Sequence, residues 1–105
     1  MRFVETPVFT RRLKAMMKDD DYRALQIALL LAPERGKLIQ DSGGLRKFRW
    51  SGSGRGKRGG VRVIYCWAQD QQTVYLLLIY ARNEQEELSA SQLGILRILI
   101  REGLE

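Results

Sequence analysis

The spacing of apolar and polar positions changes several times along the chain, and each change marks an element. Arg2 to Glu5 alternates weakly, as a short strand does. Thr6 followed by Pro7 reads as an N-cap with proline at the first helical position. Phe9, Leu13, Met16 and Met17 then recur at i, i+4, i+7 and i+8, the apolar face of a helix whose remainder carries Arg11, Arg12, Lys14 and Lys18. Asp19, Asp20 and Asp21 stand just before the next apolar run, where a helix N-terminus favours carboxylates. That second helix places Tyr22, Leu25, Leu29 and Ala32 on one face, with Ile27, Ala28, Leu30 and Leu31 outside it. Apolar over most of its girth, it is expected to pack deeply or to help form a partner interface. Pro33 stops it, and residues 36–44 read as a connection.

From Gly43 the period shortens to that of strands. Leu45 to Trp50 and Val61 to Trp67 alternate or mix apolar and basic residues, and the stretch between them is too rich in Gly and Ser for strand or helix, so the whole reads as a hairpin. Residues two apart share a face, so Leu45, Lys47 and Arg49 point one way and Arg46, Phe48 and Trp50 the other. Val61, Val63, Tyr65 and Trp67 form the more apolar set of the second strand, which sends Arg62 to the opposite, open face. Lys47, Arg49 and Arg62 then converge on one surface. After a polar turn at residues 70–72, Thr73 to Tyr80 is nearly all apolar, as a central strand covered on both faces is. Ser89 and Gln92 have the spacing of a capping box before Leu93, Leu96, Leu99 and Ile100 of a last helix. The expected order is strand, two helices, three strands, helix.

Charge sharpens this picture. The 105 residues carry a net charge of +6, with 45% hydrophobic and 29% charged positions, the balance of one ordinary globular domain spanning residues 1–105. Arg46, Lys47, Arg49, Arg55, Lys57, Arg58 and Arg62 all fall in the hairpin, and no acidic residue lies between Asp41 and Asp70. A concentration of this kind fits an anionic partner such as nucleic acid. The bland alternative is a solvated sheet face, with cationic stems lying over apolar neighbours. No apolar run is long enough to span a membrane, and no secretory signal is visible. The single cysteine, Cys66, has no partner for an internal disulfide, which suits a reducing cytoplasm.

Catalytic options are narrow. Without histidine the commonest general base and metal ligand are missing, and one cysteine cannot build a zinc site, so no metal or cofactor is expected. The glycine-rich loop joins two strands and opens no helix, so it is no phosphate-binding loop of the nucleotide type. RNA, however, carries its own nucleophile in the 2′-OH, and cations that align it and stabilise charge on phosphorus suffice. Lys47, between Arg46 and Arg49, is placed to act as a base, while arginines bind the phosphorane through their forked donors.

GLRKFR, the basic glycine loop, GVRVIY and the late IYARNE together resemble the RelE/HigB toxins of bacterial type II toxin–antitoxin systems, most closely the HigB-like branch, over essentially the whole chain. The resemblance implies a small α+β fold: a twisted, antiparallel-rich sheet, two N-terminal helices packed on one side, and a C-terminal helix. It also implies a metal-independent endoribonuclease that cleaves messenger RNA on the ribosome, acts in the bacterial cytoplasm, and is neutralised by a cognate antitoxin of helix-turn-helix type. Carried over by position, Lys47, Arg49 and Arg62 match the residues that hold and cleave RNA, while Arg46, Arg55, Lys57 and Arg58 are candidates for RNA or ribosome contact. Two departures stand out. The lysine proposed as general base in RelE is Arg49 here, and the family's late arginine and C-terminal tyrosine fall on Asn83 and Ser89, with Arg82, one residue from the former, as its candidate catalytic substitute. The base then falls to Lys47. Two alternatives remain open: a ParE-like inhibitor of DNA gyrase, and a basic RNA-binding module without catalysis.

Overall fold

The chain runs β1 (Arg2–Glu5), α1 (Pro7–Met16), α2 (Asp19–Leu31), β2 (Lys37–Leu38), β3 (Leu45–Trp50), β4 (Val61–Ala68), a 3₁₀ turn (Gln69–Gln71), β5 (Thr73–Ala81) and α3 (Ala90–Glu102). These elements come from a computed structural model, which describes residues 1–51 and 60–103. They build the expected α+β fold around a five-stranded mixed sheet in the order β1-β5-β4-β3-β2, with β1 parallel to β5 and the other neighbours antiparallel. One strand was not expected. Residues 36–44 contain β2, which pairs Lys37 with Lys47 and Leu38 with Arg46 and is too short to leave a period in the sequence.

Local chemistry sets the helix ends. The Thr6 hydroxyl accepts from the Phe9 N–H at 3.1 Å and donates to the Leu77 carbonyl at 2.8 Å, so one side chain caps α1 and fastens it to β5. At α2 the cap position is Lys18, which makes no side-chain cap hydrogen bond. Asp19, Asp20 and Asp21 lie within the first turn, where they act on the helix dipole. Ser89 and Gln92 form the full capping box of α3, with both reciprocal hydrogen bonds present.

Both sheet faces are covered. Phe9 and Leu13 of α1 with Leu25 and Leu29 of α2 pack on Phe48, Val61, Val63, Tyr65, Val74, Leu76 and Ile79. Each such burial contributes about 1.5–3 kcal/mol. On the other face Leu45, Ile64, Tyr75, Leu77 and Tyr80 pack with Leu96 of α3, flanked by Leu88, Leu93 and Ile100. The face expected to be open is therefore largely a second core. Deep packing of α2 also fails: Leu25 and Leu29 are sealed, but Ile27 and Leu30 are each 49% exposed and Leu31 is 78% exposed.

A bulge interrupts the β4–β5 ladder. Ile64 pairs with Leu78 but Tyr65 pairs with Leu76, leaving Leu77 as the extra residue, and its carbonyl is the one that Thr6 satisfies. Beyond the bulge the facing of β5 is reversed, so Tyr80 points to the α3 side and Ile79 to the α1 and α2 side.

Candidate functional site

The bulge brings one row of side chains together. Arg49 of β3 lies directly across from Arg62 of β4, and Arg62 directly across from Tyr80 of β5. Lys47 opposes Ile64 in the next row on the same face. Two like charges facing each other across strands destabilise a sheet, so this pair needs an anion to be tolerated. The segment after β5 supplies it. A Glu86 oxygen stands 3.6 Å from Arg62 Nη2, the other is 3.4 Å from Arg82 Nε, and Glu87 accepts from Lys47 Nζ at 3.1 Å. Arg49, Trp50, Ser51, Arg62, Arg82 and Glu86 line a cleft of about 410 Å³.

Burial is unequal across these pairs. The Arg62 side chain is 5% exposed and that of Lys47 12%, whereas Glu86 and Glu87 are 51% and 75% exposed. The open-face placement of Arg62 and Lys47 is thus corrected, while Arg49 is exposed: Arg62 and Lys47 lie on the sheet face of the second core and are paired with Glu86 and Glu87. Desolvation by its surroundings works against ionisation of Glu86, yet the Arg82 hydrogen bond and the charges of Arg82, Arg62 and Arg49 outweigh it and hold the carboxyl below its usual range.

The acidic segment is pinned at both ends. Glu84 accepts from the Ala81 N–H at 2.8 Å and from Arg12 Nη2 at 2.6 Å, while Arg12 Nε donates to the Ile79 carbonyl at 2.6 Å. The backbone bond to Ala81 and then the Arg12 contact keep the Glu84 carboxyl below its usual range. At the other end Leu88 packs on the second core, and Gln85 donates to the Glu87 carbonyl and to Gln92 at 2.9 and 2.8 Å.

Lys47, Arg49, Arg62 and Arg82 are brought together; Arg46 is not. It stands on the other face of β3, where Nη1 donates to the carbonyls of Glu34 and Gly36 at 2.9 and 2.8 Å. Tyr65 completes that corner, donating to the Pro33 carbonyl at 2.7 Å and accepting from Gly36 N–H at 2.9 Å. A Cβ at Gly36 would lie 2.7 Å from the Tyr65 ring, so only glycine fits there. Arg46 is therefore a loop anchor. Arg55, Lys57 and Arg58 lie outside the described residues. Asn83 is exposed in the turn after β5, and the Ser89 hydroxyl is engaged in its helix cap. Burial raises the Cys66 thiol, against a smaller opposing effect of Arg46, as befits a core residue.

Two parts of the site escaped sequence reasoning. The first is the pair Glu86 and Glu87, although three glutamates within residues 84–87 of a basic chain are a visible charge reversal. The second is Tyr80, 1% exposed, whose hydroxyl has no hydrogen-bond partner among the described residues. Burial raises its pKa, the Glu87 charge adds to this, and Arg62 opposes it. Within the all-apolar run of β5 nothing reveals the bulge that aims Tyr80 at Arg62. No protein-family model matches this chain.

Proposed function

We propose that this protein is the toxin of a bacterial type II toxin–antitoxin system, a ribosome-dependent, metal-independent endoribonuclease of RelE/HigB type. On this reading it cuts messenger RNA, halts translation in the bacterial cytoplasm, and is neutralised by a cognate antitoxin. The observation that carries the proposal is the convergence of Arg49, Arg62 and Arg82 on one cleft, with Lys47 in the next row of the same sheet face, in a chain that has no histidine. Held on β3, on β4 and just past the end of β5, these cations are positioned to bind a phosphodiester without rearranging as charge develops on phosphorus. The RNA 2′-oxygen attacks phosphorus, and the bond to the 5′-oxygen breaks. Lys47 is the candidate acceptor for the 2′ proton, a role open only to its neutral amine, after Glu87 has withdrawn and the ammonium has given a proton to water; the departing 5′-oxygen takes its proton from water. Arg49 and Arg62 neutralise the phosphorane.

The test is induced expression in a bacterial host with growth and transcript ends followed together. Growth arrest with new transcript ends inside ribosome-covered coding regions is expected. Normal growth with confirmed soluble protein would count decisively against a toxin, and gyrase-dependent DNA damage with intact transcripts would move the assignment to a ParE-like inhibitor. The engagement of the Ser89 hydroxyl in a helix cap favours a second reading, an RNA-binding module without catalysis. RNA capture without new transcript ends would select it.

A further inference from the structure

Glu86 divides its two oxygens between Arg62 and Arg82, as the two non-bridging oxygens of a phosphodiester would. Glu87 sits on Lys47, two residues along β3 from Arg49 and on the same sheet face, a step of about 7 Å. We propose that Glu86 and Glu87 occupy two successive phosphate positions of a single-stranded polynucleotide site, so that the segment after β5 is an internal competitor that the ligand must displace. This deepens the reading of the cleft as an RNA site and rests on it.

Three features support displacement. Arg62 and Lys47 are nearly sealed, unlike the exposed Arg82, while both carboxylates are more than half exposed, so the acids return to water easily but Arg62 and Lys47 require a replacement anion. The anchors at Glu84 and Leu88 are separate from the ion pairs, so Glu86 and Glu87 can swing out while the segment stays attached. Arg49 and Arg62 face each other directly, a like-charge pair that an anion beside it stabilises. A tethered anion is present at high effective concentration and lowers apparent affinity by the fraction of time the site is free. Discrimination against shorter or less charged ligands follows, because only a ligand that supplies both phosphates replaces both glutamates.

The experiment measures binding of a short fluorescent single-stranded DNA, which lacks the 2′-OH and cannot be cut by the proposed route. It compares the wild-type chain, E86Q/E87Q, and the charge-matched control D70N/E102Q, whose changes lie on the 3₁₀ turn and at the end of α3. Thermal melts establish that all three fold, and single E86Q and E87Q variants replace the double if it does not. The expected result is about tenfold tighter binding for E86Q/E87Q than for the control. Equal tightening in both variants would overturn the proposal, because general charge removal would then explain it. Cleavage of ribosome-bound transcript is assayed separately. Tightening in the absence of any cleavage keeps the internal competitor and removes the nuclease reading; cleavage by wild type without tightening does the reverse.

Discussion

Replacing Arg62 separates what it does for the fold from what it does for a ligand. The residue is 4% exposed at the centre of the sheet, with its stem in the second core and its guanidinium paired with the half-exposed Glu86. Arg62→Ala removes two buried methylenes at about 0.8 kcal/mol each and leaves a partly collapsible gap, while relief of the facing Arg49 charge returns a few tenths. The expected net loss is about 2 kcal/mol, or roughly 10 °C in Tm for a chain of this size. Arg62→Met keeps the stem volume and removes the desolvated charge, so it should melt within about 1 kcal/mol of wild type. Glu86 is exposed enough to return to water on losing this partner. On the proposed nuclease reading, both variants should cut ribosome-bound transcript about 10² to 10³ times more slowly, as expected on losing one preorganised donor. The assays are urea denaturation and cleavage of a defined transcript by purified protein. A Met variant that loses 3 kcal/mol or more would make the ion pair a structural necessity. A Met variant that folds and cuts at the wild-type rate would remove Arg62 from the reaction.

Tyr80→Phe deletes a buried hydroxyl without a partner among the described residues and should stabilise the protein by about 1 kcal/mol in urea denaturation; destabilisation would show that the hydroxyl is used in the fold. Gly60→Ala should cost about 2–3 kcal/mol in the same assay, because φ is +60° and a Cβ would stand 2.4 Å from the Trp50 carbonyl oxygen; a neutral result would mean that the loop end relaxes freely. Glu84 has a native pKa below its unfolded value, so its contribution is present above the ordinary carboxylate value of 4.5 and is lost as pH falls through the native one. Melting curves of wild type and Glu84→Gln should therefore converge as pH falls below about 4.5, and a constant gap down to the acid limit would contradict the assigned ion pair with Arg12.

The helix boundaries were legible because their signals are local. Thr6-Pro7 and Ser89 with Gln92 act over three residues, and the structure shows both caps as the sequence expects. The strand period likewise placed Lys47, Arg49 and Arg62 on one face. What covers that face was not legible, since Glu86 reaches Arg62 only after β5 and its bulge have been laid beside β4. Arg46 was placed on the correct face by the alternation, but its candidacy for RNA contact came from grouping its charge with its neighbours in sequence; its guanidinium is engaged by the Glu34 and Gly36 carbonyls. The exposed side of α2 shows the limit of apolar counting, because girth does not say how much sheet lies beneath a helix.

The parallel pairing of β1 with β5 imposes an order on synthesis. Arg2 lies beside Thr73, 71 positions later, and the apolar faces of α1 and α2 rest largely on β4 and β5. A nascent chain therefore displays Phe9, Leu13, Leu25 and Leu29 with little to cover them until β5 has left the ribosomal tunnel. Closing so long a loop is slow, and the uncovered helices are open to aggregation or capture by chaperones during the wait. The same delay has a protective side. Arg82 and Glu86 join the Arg49–Arg62 pair only when β5 docks, so truncated translation products stopping before Thr73 contain most of the basic residues but cannot assemble the cleft.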